Sequence, residues 1–152
     1  MKELYTEIEI EAPAERIWEI VTDFARFPQW NPFIRRIGGS LRPGEQLEVH
    51  FQSPDSRGMT FRPKVLTVEP NKELSWIGHL IIPGLFDGEH HLAVQPIGEG
   101  RARFVQREVF TGVLVPLLWK GMLNRDTRRG FEQMNQALKK RAEQEASVAS
   151  SE

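Results

Sequence analysis

The sequence predicts an α+β fold: a curved antiparallel sheet of about seven strands wrapped around one long C-terminal helix, with two short helices after the first strand. Three observations predict it. Apolar residues recur at every second position in several separate runs. They change to three- and four-residue steps after Pro116. Only that last stretch is long enough to cover a sheet, and strands with one apolar face need a cover.

Leu4, Thr6, Ile8 and Ile10 alternate with Tyr5, Glu7, Glu9 and Glu11, the pattern of a half-buried strand. Pro13 then opens a helix, where its missing N–H costs nothing. Ile17, Val21 and Phe24 follow at helical spacing, with Trp18 beside them. Asp23 is expected to cap a second short helix from Phe24 to Phe27, and Pro28 to stop it. Phe33 to Ile37 reads as a strand ended by Gly38 and Gly39. Leu47, Val49 and Phe51 alternate with Glu48, His50 and Gln52 in the next. Ser53 to Gly58 is a polar loop. Phe61 to Val68 is strand-like, with Pro63 arguing against a central position. After a turn at Pro70-Asn71, Leu74, Trp76 and Gly78 share one strand face. Asp87 to Gln95 and Arg103 to Thr111 form a hairpin around Ile97 to Gly100. Leu123, Thr127, Phe131, Met134 and Leu138 then trace one helical stripe, and Lys139, Lys140 and Arg141 suit the negative end of the helix dipole. No repeat or linker divides the chain, so one domain is expected over residues 1–145, with 146–152 as a disordered tail.

The chain has 152 residues, 39% hydrophobic and 27% charged, which suits a soluble globular domain with a sizeable core. Twenty Lys and Arg against 21 Asp and Glu leave a net charge of −1, without the basic excess of a nucleic-acid binder. There is no cysteine, which removes disulfides, thiolate catalysis and Cys-ligated zinc and fits the cytoplasm. The first residues alternate acidic and apolar, unlike a secretory signal. No run approaches the ~20 apolar residues of a membrane span, so no stable membrane insertion is expected.

Specific residues then meet this order of elements. Ala12-Pro13-Ala14-Glu15-Arg16-Ile17-Trp18, Thr22-Asp23-Phe24 and Phe27-Pro28-Gln29-Trp30-Asn31-Pro32 resemble the opening of the START-related polyketide cyclase/dehydrase family. Gly88-Glu89-His90, Glu108-Val109-Phe110-Thr111-Gly112 and Arg129-Gly130-Phe131-Glu132-Gln133-Met134-Asn135 continue the resemblance, over roughly residues 3 to 144. It implies the helix-grip fold, shared with the birch-pollen allergen and lipid-transfer START domains, and an internal cavity for apolar ligands. It implies much less about activity, since the family name comes from a few members that cyclise polyketide chains. One departure is Leu92, at a position where an aromatic residue is expected in many relatives; the smaller side chain is expected to widen the cavity.

The final hairpin carries the candidate chemistry. Leu92, Val94, Phe104 and Phe110 should face inward, and His90, Gln106 and Glu108 share their parity. Placing Val94 opposite Phe104 sets Leu92 against Gln106 and His90 against Glu108, and a one-residue slip would break the shared face. His90 and Glu108 are therefore the candidate polar pair. They could orient a ligand carbonyl or hydroxyl, act as acid and base, or simply satisfy each other in the core. Trp76, His90, Leu92, Phe104, Gln106, Glu108 and Phe110 are the expected ligand-binding set. Trp18, Phe24, Phe27 and Trp30 are expected core.

Two apolar runs sit where loops are expected, His79 to Phe86 and Val113 to Trp119. In the resembled fold both lie at one end of the sheet. Ile81, Ile82, Leu85, Leu117 and Trp119 are accordingly the expected cavity entrance, the alternatives being a closed end or an exposed patch for dimerisation or membrane contact. His79, His90 and His91 alternate in direction and make no metal site, and no cofactor is expected. Arg125, Arg128 and Arg129 with Asp126 read as a solvated helix face. The expected function is binding of a small hydrophobic ligand (lipid, aromatic or polyketide-like), as carrier, sequestering or sensing module, by a monomer or homodimer. The alternatives are a cyclase or aromatase using the same cavity, and an interaction protein whose cavity has collapsed.

Overall fold

The computed structural model describes residues 1–53 and 57–151, with side chains described as far as 144 except at 122. Strand β1 (Lys2–Ile10) leads into α1 (Ala14–Thr22), a 3₁₀ turn (Phe24–Arg26) and α2 (Phe27–Trp30). Seven strands follow: β2 (Ile34–Gly38), β3 (Glu48–Phe51), β4 (Met59–Phe61), β5 (Lys64–Glu69), β6 (Glu73–His79), β7 (Asp87–Gly98) and β8 (Arg101–Thr111). The chain ends in α3 (Val115–Leu118), a π-helical stretch (Trp119–Thr127) and α4 (Arg128–Ser151). The tail expected over 146–152 falls on the last turns of α4 and beyond, and its side chains lie outside the described residues.

The order of elements is the expected one, with three local differences. Among the described residues there are eight strands where about seven are expected, because the run from Phe61 to Val68 is two strands interrupted at Pro63. Pro28 does not stop a helix. It stands in the first turn of α2, where a missing N–H is harmless. Asp23 makes no side-chain cap; its carboxylate instead accepts from Arg26 Nη1 at 2.6 Å. Asn31 does the local work next to it: its Oδ1 accepts from the backbone N–H of Phe33 and Ile34 at 2.9 and 2.8 Å and turns the chain into β2.

Five strands pair in the order β1-β8-β7-β6-β5 and three in the order β2-β3-β4. The Gln46–Lys64 bridge and backbone bonds from Leu47 N to Pro63 O and Val65 N to Glu45 O, both 2.8 Å, join the two sets. The β7–β8 register is the expected one: Val94 with Phe104, Leu92 with Gln106, His90 with Glu108. Outside, Arg101 and Arg103 reach Glu9, Glu11 and Glu7 across β1, so that face is fixed to solvent. The free edge of β1 is covered by the helix, whose Arg128 and Lys139 donate to the carbonyls of Tyr5 and Glu9.

Helix α4 lays Phe131, Met134, Leu138 and Ala142, all fully buried, along the inner face. Phe24, Phe27 and Trp30 stack edge to face at 5.5 and 5.2 Å and lock the short helices.

Candidate functional site

Paired strands present their inward side chains in successive layers, and the layers differ in bulk. One layer carries Leu74, Leu92, Gln106 and Thr6 on β6, β7, β8 and β1. The next carries Trp76, His90, Glu108 and Leu4. The third carries Gly78, Gly88 and Phe110. Two adjacent glycines leave that part of the sheet without side chains. A hollow of about 290 Å³ lies over it, at the small end of ligand pockets, which span ~300–1,000 Å³.

Phe33, Phe51, Phe61, Trp76, Phe86, Phe110 and Leu123 make its apolar wall. The π-helical stretch closes the far side with Leu123, Asp126 and Thr127, and Arg57, Met59 and His79 border it as well. Wide π turns are uncommon and concentrate at functional sites. Glu108 is the deep polar group. Its carboxyl occupies the space that a side chain on Gly88 would need, so Gly88 makes room for it.

The expected wall is thus divided. Trp76, Glu108 and Phe110 line the hollow, whereas His90, Leu92, Phe104 and Gln106 lie behind it, each 1% exposed or less. Leu92 widens nothing, because it sits in the packed layer; the space comes from Gly78 and Gly88. Of the expected entrance, Ile81, Ile82 and Leu117 are 83%, 58% and 80% exposed, and Leu85 and Trp119 are half-buried. None of the five lines the hollow, but their neighbours Leu80 and Phe86 do. The two loops touch through backbone bonds from Val113 to Gly84 and Leu114 to Leu85. Gly112, at φ +121°, permits the approach, since a Cβ there would strike the Leu85 backbone. Trp119 packs on Phe110 at 6.5 Å, with the Lys2 ammonium 5.6 Å from its ring.

Asp126 pairs with Arg125 at 3.0 Å on the solvated helix face, as expected, and also borders the hollow, three residues after Leu123. Phe33, Phe51 and Phe61 also line the hollow, outside the set expected from sequence. Phe51 shares the parity of Leu47 and Val49, but only the curvature of β3 and β4 brings the three together. The paired glycines were the available signal for the space: Gly78 and Gly88 share the inward parity of Trp76 and His90.

Behind the hollow, His90 stacks between Phe131 and Phe51 at 5.0 and 6.1 Å, with Trp76 edge-on at 5.1 Å. Its Nε2 lies 2.9 Å from Gln106 Oε1. Its Nδ1 lies 3.4 Å from Glu108 Oε1 and makes no hydrogen bond. Burial pushes the Glu108 carboxyl up to about 8 and the His90 imidazole down to about 3, because each charged form would lose its hydration in an aromatic surround. Both groups are therefore neutral at pH 7. At the rim, His79 Nδ1 pairs with Asp87 at 2.6 Å and holds that carboxyl below its usual range. Among the described residues no three His, Asp or Glu side chains converge on a metal position.

This fold and hollow define a helix-grip protein. The chain belongs to the polyketide cyclase / dehydrase and lipid transport family, whose profile matches residues 1–143. Its structure is similar to the Zhui aromatase/cyclase from Streptomyces sp. R1128 (14% identity, TM-score 0.77, 95% of each chain covered). It is also similar to a START superfamily protein from Mycobacterium smegmatis (23% identity, TM-score 0.73, 93% of this chain and 97% of that one). A third likeness is to the di-domain aromatase/cyclase StfQ of the steffimycin biosynthetic pathway (16% identity, TM-score 0.74), where 95% of this chain spans 52% of the other. No curated protein sequence matches the chain.

Proposed function

We propose that this protein binds a small, largely apolar molecule in the hollow between the sheet and the π-helical stretch, as a carrier, sequestering or sensing module. The observation that carries the reading is the wall itself: six aromatic residues and Leu123 around about 290 Å³, with Glu108 as the most buried titratable group among the described lining residues. Apolar walls with few polar groups are the usual form of a small-molecule site. Ile81, Ile82, Leu85, Leu117 and Trp119 would serve as the approach: the first three lie within two residues of a lining residue, Trp119 packs on Phe110, and Leu117 precedes it on the exposed side.

Native mass spectrometry of protein purified without denaturation tests this. A co-purified apolar molecule, lost on substituting Phe110→Asp at the wall, is expected. Protein that carries no such molecule and takes up no naphthalene-sized probe would overturn the reading.

A cyclase-type enzyme has one observation in its favour. Glu108 holds a proton near neutrality at the deep end, as a general acid must. His90 would act only through Glu108, because it does not reach the hollow.

A further inference from the structure

The buried polar groups behind the hollow form a chain whose direction is fixed. Thr6 Oγ1 donates its single proton to the backbone carbonyl of Gln106 at 2.9 Å, and a carbonyl can only accept. Thr6 can therefore only accept from Asn135, which must present Nδ2 to it, at 2.9 Å. That leaves Asn135 Oδ1 toward Gln106, so Gln106 must present Nε2 there, again at 2.9 Å. Gln106 Oε1 then faces His90, and only an Nε2–H can satisfy it. Reversing either amide would set two acceptors against each other in a buried place. The proton of neutral His90 is thus on Nε2, and Nδ1 turns a lone pair toward Glu108.

We infer that this chain makes Glu108 a proton-bearing carboxylic acid, so that the hollow selects neutral ligands carrying a hydrogen-bond acceptor, such as ketones, over carboxylates of the same shape. The inference rests on the ligand-cavity reading above. Two facing acceptors, Nδ1 and Oε1 at 3.4 Å, would repel unless the carboxyl keeps its proton. His90 supplies no positive charge to draw the proton off. From β1 the register partner of Glu108 is Leu4, which is apolar. The other charged or titratable groups around the hollow are His79, Arg57 and Asp126. Asp126 is paired with Arg125 at 3.0 Å and His79 with Asp87 at 2.6 Å, while Arg57, exposed at the rim, is the charge that favours an anionic ligand and works against the selection. Nδ1 makes no hydrogen bond as the side chains stand, and a ligand carbonyl that enters the hollow competes with it for the acid's proton. Thr6, Asn135 and Gln106 act through His90 and are positioning residues.

Three probes of one skeleton test this on the full chain: 2-acetylnaphthalene, 2-naphthoate and 2-ethylnaphthalene, titrated by ligand-observed NMR at pH 7 and pH 9. The ketone is expected to bind at least tenfold tighter than the carboxylate at pH 7. Its affinity should fall about tenfold by pH 9, as a carboxyl titrating near 8 ionises. In Glu108→Gln, whose amide donates at every pH, the ratio between the two pH values should drop to about one. The ¹⁵N spectrum of His90 should show a protonated Nε2 and a bare Nδ1. Thr6→Val should mix the two tautomers and weaken the pH dependence, and Thr6→Ser should restore both.

Equal binding of ketone and carboxylate, a pH-independent ketone affinity, or a His90 protonated on Nδ1 would overturn the inference while leaving the cavity reading intact. Failure of all three probes to bind would overturn the cavity reading and this inference with it.

Discussion

At one level of the sheet, Leu74, Leu92, Gln106 and Thr6 point at the helix, and Asn135 meets them in a closed hydrogen-bonded core. Two layers away the same strands carry Gly78 and Gly88, and a hollow stands in place of contact. Strand order, helix and pairing are continuous between the two regions, so the backbone architecture does not separate them. Side-chain volume does. The comparison also places the polar groups: the closed region spends its polar atoms on one another, while the open region leaves Glu108 with a face on the hollow. The layer between, with Trp76 and His90, belongs to both.

The strongest test of the comparison removes bulk from the closed region. Phe131 is fully buried against His90 and Phe33, and Phe131→Ala should cost about 3–5 kcal/mol in denaturant unfolding. A loss below ~1 kcal/mol would mean that this region is no better packed than the hollow.

Acid and alkali should act on the middle layer with opposite signs. His90 is neutral when folded and titrates at 6.5 when unfolded, so its contribution is lost as pH falls from 6.5 toward about 3. Glu108 is protonated when folded and titrates at 4.5 when unfolded, so its contribution is lost as pH rises from 4.5 toward about 8. Between 4.5 and 6.5 the two slopes oppose each other, which leaves a plateau. Thermal unfolding against pH should show it, and Glu108→Gln should flatten the limb above 6.5 and turn the plateau into a rise between 4.5 and 6.5.

Filling the open region should separate binding from stability. A Cβ on Gly78 meets only Pro63, at 3.7 Å, so Gly78→Val fits. It should weaken probe binding about tenfold while leaving stability unchanged or raising it by up to ~1 kcal/mol, as expected for replacing a strand glycine. Isothermal titration and urea unfolding on the same sample check both.

The smallest effect is at the rim. Ile81 is 83% exposed with φ at 68°, an unfavourable conformation for a β-branched residue. Ile81→Gly should raise stability by about 1 kcal/mol in thermal unfolding, since strain is relieved and little packing is lost.

Much of this molecule is written in local sequence. Alternation fixed which residues of β1, β3, β6, β7 and β8 turn inward, because a strand's side-chain period is two and cannot drift. The same parity puts His90 opposite Glu108 and Leu92 opposite Gln106, which is the register of the structure. The helical stripe from Leu123 to Leu138 named the covering face for the same kind of reason. What parity cannot say is how far the helix stands from each layer. Distance depends on the summed volume of residues remote in sequence: Gly78 and Gly88 on the sheet, Phe33 and Phe51 on the second set of strands, Leu123 on the π turns. Tertiary packing alone therefore decided that Trp76, Glu108 and Phe110 border space while Leu92, Phe104 and Gln106 do not, and that Asp126 turns to the hollow. It also decided the proton on His90, because that required Thr6 and Asn135, 129 residues apart, to meet in one buried chain.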